Sequence, residues 1–315
     1  MRLFRHTTDL PADARGAVVA LGNFDGVHLG HREVVARAGA LAREQGRPLG
    51  VVTFEPHPRS LFRPDDPPFR LTPLRPKAHA LEALGVDLLH VLHFDRALSE
   101  KTAADFVSQI LVGDLGIAHA VAGWDFVFGH KRGGDMQLLR AEGVRHGFGV
   151  DEIRPVLNSG MGGGGAVVSS TRVRELLQAG DARAAAALLG RPWEVDGHVL
   201  HGDARGRELG WPTANLELGE YLRPGYGIYA IRAAIDEARP VWRDGVANLG
   251  IRPMWRTAEP MIEAHLFDFA GDLYGRVLRV QLIERLREEA KFDSLEALKA
   301  QIAQDALAAQ AALKK

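Results

Sequence analysis

The sequence predicts two modules of different class. The first is α/β, built on a parallel sheet. The second is antiparallel β, closed by a helix. Three observations carry this. From residue 17 to about residue 189, apolar runs of strand length alternate with segments of helical periodicity, the pattern of a parallel sheet with helices on both faces. Beyond Gly190-Arg191-Pro192, short β-type runs follow one another with Gly and Pro turns between them, as in a barrel or sandwich. Residues 294–313 then set Leu295, Leu298, Ile302, Ala306 and Ala309 at helical spacing, a stripe expected to cover the second module.

The modules accordingly span 1–189 and 190–315, each long enough to bury a core of its own. A 46% hydrophobic and 25% charged content is that of an ordinary globular chain. The formal net charge of −1 argues against broad attraction to nucleic acid or an anionic membrane. With no Cys, disulfides, thiolate catalysis and iron–sulfur ligation drop out. No apolar run follows Met1-Arg2-Leu3-Phe4-Arg5-His6 as in a signal peptide, and none reaches transmembrane length. A cytoplasmic protein is expected.

In the first module, strands are expected at 17–21, 49–53, 88–92, 119–122 and 151–156, and helices at 32–45, 77–84, 102–111 and 136–145. Helices at 172–179 and 181–189 complete it. The first of these helices places Val34, Val35, Ala38, Leu41 and Ala42 on one face. Ligands of such sheets bind beyond the carboxyl ends of the strands, where strand order reverses.

The stretch Gly22-Asn23-Phe24-Asp25-Gly26-Val27-His28-Leu29-Gly30-His31 joins the first strand to the first helix. A Gly-punctuated turn into a helix N-terminus is an anion site, because backbone N–H groups and the helix dipole both face the ligand. His28 and His31 can each donate a hydrogen bond to a phosphate oxygen. Taken alone, His-x-Gly-His is short, and two surface histidines in a glycine turn are the commoner occurrence. A zinc site is not expected, for no third ligand is nearby.

Three other strand ends carry chemistry: Thr53-Phe54-Glu55-Pro56-His57-Pro58, Gly123-Trp124-Asp125-Phe126-Val127-Phe128-Gly129 and Ser169-Ser170-Thr171-Arg172-Val173-Arg174. In the last, Ser170 or Thr171 is an N-cap; with Arg174 one turn on, the same group is a phosphate clamp. The four glycines Gly162-Gly163-Gly164-Gly165 cannot hold one conformation alone and read as a loop or as a lid.

Together these segments resemble the bacterial FMN adenylyltransferases of the His-x-Gly-His nucleotidyltransferase superfamily. The resemblance rests on Gly-x-Phe-Asp-Gly-x-His-x-Gly-His, Thr-Phe-x-Pro-His-Pro, Asp-Phe-x-Phe-Gly and Ser-Ser-Thr-x-x-Arg, in that order. It implies a Rossmann-like domain. Gly22, Phe24, Asp25, Gly26, His28, His31, Ser170, Thr171 and Arg174 would hold ATP, with Asp125, Phe126 and Phe128 near the flavin. Trp124 departs from the acidic residue or tyrosine common in that slot.

In the second module, β-type runs are expected at 193–200, 227–234, 241–248, 262–267 and 276–285. Its chemical stretch is Gly202-Asp203-Ala204-Arg205-Gly206-Arg207-Glu208-Leu209-Gly210-Trp211-Pro212-Thr213-Ala214-Asn215. It reads either as a polar turn entering a strand or as a phosphate wrap of backbone N–H groups and guanidinium forks. Thr213 and Asn215, two apart, share a strand face and offer hard oxygen ligands suited to Mg2+.

This run resembles the Gly-Asp-x-Arg-Gly-Arg-x-Leu-Gly-x-Pro-Thr-Ala-Asn signature of riboflavin kinases. Asn248-Leu249-Gly250-Ile251-Arg252-Pro253, Glu263-Ala264-His265-Leu266-Phe267-Asp268-Phe269 and Asp272-Leu273-Tyr274-Gly275 extend the likeness, and Met254 stands where that family usually has Thr. The resemblance implies a β-barrel kinase, with Gly202, Asp203, Arg205, Gly206, Arg207, Thr213 and Asn215 at ATP and Glu263 as catalytic base. Unaided, a strand glutamate reads as a solvated face residue.

The two resemblances cover nearly the whole chain and are those of the bifunctional riboflavin kinase/FMN adenylyltransferase (FAD synthetase) family. They imply riboflavin, FMN and ATP as partners and Mg2+ with ATP. FMN and FAD would be substrate and product rather than redox cofactors, with no nucleic-acid or membrane partner. Two other readings fit parts of the chain: an adenylyltransferase for pantetheine phosphate or nicotinamide mononucleotide, and a non-catalytic flavin-binding descendant.

Overall fold

A computed structural model describes residues 1–158, 165–201, 210–251 and 259–314. The chain forms two compact units, Met1–Asp66 with Lys77–Ser169, and Pro67–Pro76 with Ser170–Lys315. Its strands are β1 (Arg2–Phe4), β2 (Val18–Leu21), β3 (Leu49–Glu55), β4 (Leu88–His93), β5 (His119–Gly123), β6 (Gly149–Ile153), β7 (Trp193–His198), β8 (Ala214–Glu217), β9 (Gly227–Ile235), β10 (Arg243–Ile251), β11 (Pro260–Leu266) and β12 (Val277–Arg287). Its helices are α1 (Leu29–Glu44), α2 (Pro58–Phe62), α3 (Leu74–Glu82), α4 (Arg96–Glu100), α5 (Ala103–Asp105), α6 (Met136–His146), α7 (Ser170–Gln178), α8 (Ala182–Leu189) and α9 (Leu295–Leu313).

The first unit is a six-stranded sheet in the order β1-β4-β3-β2-β5-β6, parallel at every pairing. Val18, Val19, Ala20 and Leu21 of β2 are all buried. Such a run needs cover on both faces, which puts it inside a parallel sheet. β2 lies between β3 and β5, so strand order reverses at β2, and its carboxyl end opens at the switch point.

Several expectations shift. β1 was not foreseen, because three residues are too few for periodicity. The helix expected at 102–111 is α5 followed by a π-helical Phe106–Asp114. The last strand runs 149–153 rather than 151–156. α1 starts three residues before the expected 32, because His28 caps it.

The second unit is antiparallel throughout, in the order β7-β12-β9-β10-β11-β8. An isolated bridge between Leu200 and Asn215 links the chain leaving β7 to β8 and closes the barrel. Leu249, Ile262 and Leu216 pair in one row and are fully buried, marking the interior. Residues 170–189 go with this unit by packing: α8 lies on β7 and β12. Pro67–Pro76 does too, since Trp193 Nε1 donates to the Leu71 carbonyl at 2.9 Å and buried Arg70 pairs with Glu220 at 3.2 Å. The change of periodicity near 189 and the change of packing partner at 169 are separate events in the chain.

α9 is covered only along its second half. Ala309, Ala312 and Leu313 pack on Ala230 and Val246, while Leu295, expected in the buried stripe, is 50% exposed. Arg287 fixes the helix instead, its Nε and Nη2 donating to buried Asp305 at 2.8 and 2.6 Å. Among the described residues, no helix is long and apolar enough to cross a membrane. Gly162, Gly163 and Gly164 lie outside the described residues.

His90 of β4 is a buried core residue stacked on Phe4, ring centroids 5.5 Å apart. Burial lowers its pKa to about 4, so it is neutral in the fold. Its unfolded counterpart protonates near pH 6.5. The depressed folded value means that acid favours the unfolded chain across this window. Stability should therefore fall between about pH 6.5 and pH 4 by of order 3 kcal/mol from this group. Urea unfolding of His90→Phe should lack that component; parallel pH curves for variant and parent would refute it.

Candidate active sites

The turn after β2 is wound tightly. Phe24 and Val27 take left-handed φ angles of 49° and 44°, strained for residues of their size. Gly26 at φ 92° does so freely. Phe24, Asp25 and Val27 are buried. The turn ends at His28, the N-cap of α1, whose Nδ1 accepts from the His31 N–H at 3.3 Å. Because Nδ1 accepts, the neutral ring carries its proton on Nε2. His28 and His31 stack with centroids 3.6 Å apart and planes 16° from parallel, and Phe24 lies 5.2 Å from the His31 ring. Gly30 is the floor of this stack: a Cβ there would come within 3.1 Å of the His28 ring. The turn thus presents two imidazoles together at a helix N-terminus, beside the sheet's switch point.

Adjacent strand ends surround the turn with defined chemistry. Thr53 Oγ1 donates to the Asn23 carbonyl at 3.1 Å. Fully buried Lys77 donates to Thr53 Oγ1 at 3.3 Å and to Glu55 Oε1 at 2.9 Å. After β5, Asp125 and Trp124 are exposed and Phe126 half-buried. Phe126 stacks on Phe128, centroids 5.4 Å apart, and Phe128 belongs to the core against Phe106. The aromatic array continues through Phe54 and Phe94 to Phe62, which is 65% exposed. Neither Lys77 nor the array was legible in sequence. Both are assembled from residues far apart in the chain.

Ser170 and Thr171 are the first two residues of α7. Arg174, one turn on, is half-buried; its Nε donates to the Phe69 carbonyl at 2.8 Å, and its guanidinium lies 5.6 Å over the Phe69 ring.

In the second unit, register assembles the chemical groups. Glu263 of β11 pairs with Asn248 of β10 on one side and Asn215 of β8 on the other. Directly paired residues share a face, so the three side chains form one row at strand spacing, about 4.8 Å per step. The row is one residue out of phase with the Leu249–Ile262–Leu216 interior row, which puts it on the outer face of the barrel. The buried Oδ1 atoms of Asn215 and Asn248 have no hydrogen-bond partner among the described residues. A buried carbonyl oxygen left in this way is costly unless a ligand completes it. Thr213 precedes Asn215 by two, and His265 Nδ1 lies 2.8 Å from the Pro212 carbonyl, fixing this approach to β8. Asn248 sits in a stretch quoted for its motif, but its place beside Glu263 appears only with the pairing. Gly202, Asp203, Arg205, Gly206, Arg207 and Met254 lie outside the described residues.

Comparison with known proteins bears on both units. A family model described as FAD synthetase matches residues 10–172, and one described as riboflavin kinase matches 189–313. The bifunctional riboflavin kinase/FMN adenylyltransferase of Pseudomonas fluorescens is 45% identical over 99% of this chain and 97% of its own. That of Escherichia coli (strain K12) is 40% identical over 98% and 97%. That of Bacillus subtilis (strain 168) is 37% identical over 92% and 90%. A crystal structure described as a macrolide-efflux protein from Streptococcus pneumoniae superposes with a TM-score of 0.83 at 30% identity, covering 96% of both chains. The chain belongs to the bifunctional riboflavin kinase/FMN adenylyltransferase family, and it phosphorylates riboflavin to FMN and adenylylates FMN to FAD.

Proposed function

We propose that the two reactions use separate sites, adenylyl transfer at the His28–His31 turn and riboflavin phosphorylation at the Asn215–Glu263–Asn248 row. The observation that carries this is that the His28–His31 turn and the Asn215–Glu263–Asn248 row lie in two separately packed units. Their chemistry also suits different demands. The FMN phosphate is an ionised nucleophile near neutral pH; its oxygen attacks the α-phosphorus of ATP and pyrophosphate leaves, so its site needs positioning and charge neutralisation rather than a base. Stacked imidazoles at a helix N-terminus provide donors to the transferring phosphate. Gly22, Phe24, Asp25 and Gly26 shape that turn; Ser170, Thr171 and Arg174, the hydroxyls and guanidinium expected for ATP phosphates, pack with the second unit. Asp125 and Phe126 contact the flavin, with Phe128 as the ring beneath.

The ribityl 5′-hydroxyl of riboflavin is a poor nucleophile and gains from a base. Half-buried Glu263 takes its proton as the oxygen attacks the γ-phosphorus of ATP. ADP leaves as FMN forms. Gly202, Asp203, Arg205, Gly206 and Arg207 would wrap the ATP phosphates. Mg2+ fits beside them on the evidence of the Asn215 Oδ1, a buried hard oxygen that lacks a protein partner among the described residues. Thr213 and Asn215 would hold it. Both ligands are neutral, so the nucleotide supplies the charge that retains the ion. When bound, Mg2+ neutralises developing phosphate charge.

Crossed variants test the division. Glu263→Gln should lower FMN formation by roughly 10²- to 10⁴-fold, the share of a general base, and leave FAD formation from FMN near the parent rate. His28→Ala with His31→Ala should do the reverse, with FMN accumulating and FAD formation down by about 10²-fold or more. Time courses of riboflavin, FMN and FAD read both. Loss of both activities in one folded variant would mean a shared site.

Thr213→Ala with Asn215→Ala should abolish riboflavin phosphorylation or sharply raise the Mg2+ concentration it needs. An unchanged Mg2+ titration of kinase rate would remove the pair from the metal site.

A further inference from the structure

Lys77 is buried completely, and neither reaction as described uses it. An ammonium taken out of water costs several kcal/mol unless it is paired and hydrogen-bonded. Such a group marks a place where the fold requires a charge. Its partners point to the purpose. Glu55, at 2.9 Å, supplies the counter-charge. The second partner is Thr53 Oγ1 at 3.3 Å, fully buried.

An ammonium is a donor only, so Thr53 Oγ1 must accept from it and turn its own proton elsewhere. That proton goes to the Asn23 carbonyl, 3.1 Å away. Asn23 is the residue before Phe24, where the left-handed backbone begins. The preceding residue is tied as well, since the Gly22 N–H donates to the Val52 carbonyl at 3.2 Å. β3 therefore grips the turn on both sides of the peptide from which the strained segment departs. Five residues on stands His28.

We infer that Lys77 is a positioning residue of the adenylyl-transfer site: its charge orients the Thr53 hydroxyl, which fixes the Asn23 carbonyl and so the turn that carries His28 and His31. This rests on the assignment of adenylyl transfer to that turn. A small displacement of a phosphate-aligning group costs rate rather than binding, since alignment matters most as the bond forms.

The test uses the full-length chain with Lys77→Met, Thr53→Val, Thr53→Ser and the Thr53→Val/Lys77→Met double variant. Each is assayed for kcat and KM of FAD formation and for riboflavin phosphorylation, which serves as a control within the same molecule. Lys77→Met and Thr53→Val should each lower kcat for FAD formation by about 10- to 100-fold with little change in KM. Thr53→Ser, which keeps the hydroxyl, should stay near the parent. The double variant should be no slower than Lys77→Met, because both changes break one chain of contacts. Kinase rates should hold throughout.

Losses that multiply in the double variant would overturn the inference. So would a Thr53→Val enzyme as fast as the parent, or a Thr53→Ser enzyme as slow as Thr53→Val. If Lys77→Met does not fold, the Thr53 pair decides alone. Retention of FAD formation by His28→Ala/His31→Ala would instead sink the assignment of the turn, a result separable from any of these.

Discussion

The burial of β2 on both faces is the constraint from which the first unit follows. A strand of Val18, Val19, Ala20 and Leu21 has no polar face to offer water. It can sit only between other strands and beneath helices on both sides. Once it is central, its carboxyl end must open where the neighbouring strands diverge. The turn there is held by β3 through the Gly22 and Asn23 backbone. That grip sustains left-handed Phe24 and Val27, which would otherwise relax. The stacked histidines are thus the far end of a chain of consequences that begins with four apolar residues.

The second unit reaches its chemistry by another route. No glycine turn or helix end presents Glu263; the ladder does. Antiparallel register alone puts Asn248, Glu263 and Asn215 side by side from three strands. A one-residue slip of β8 would send Asn215 to the interior and Leu216 to the outer face. The buried leucine and isoleucine row that holds the register therefore holds the Asn215–Glu263–Asn248 row as well.

Those two routes explain what the sequence disclosed. The strand–turn–helix at Gly22 to His31 is local, so periodicity and glycine spacing revealed it. Most of the longer strands and helices were readable for the same reason, while β1, α2 and α4 were not. Relations across the chain were not. Lys77 reads as an ordinary helix-face lysine, because its burial against Thr53 and Glu55 depends on how α3 meets β3. Asn248 falls in a stretch that resembles the riboflavin kinases, but only pairing sets it beside Glu263. Leu295 misled in the other direction. Helical spacing says which residues share a stripe, yet not how far along the helix a partner extends, and here the cover ends before that residue. The π-helical Phe106–Asp114 is invisible to a 3.6-residue period.

Asn215 has two employments. Its backbone carbonyl accepts from the Leu200 N–H at 2.9 Å and closes the barrel, while its buried side-chain oxygen has no hydrogen-bond partner among the described residues. Opening the seam and releasing a ligand held there are therefore thermodynamically linked. Whatever binds the closed form alone strengthens the closure by RT ln(1 + [L]/Kd), about 2.7 kcal/mol at a hundredfold excess over Kd.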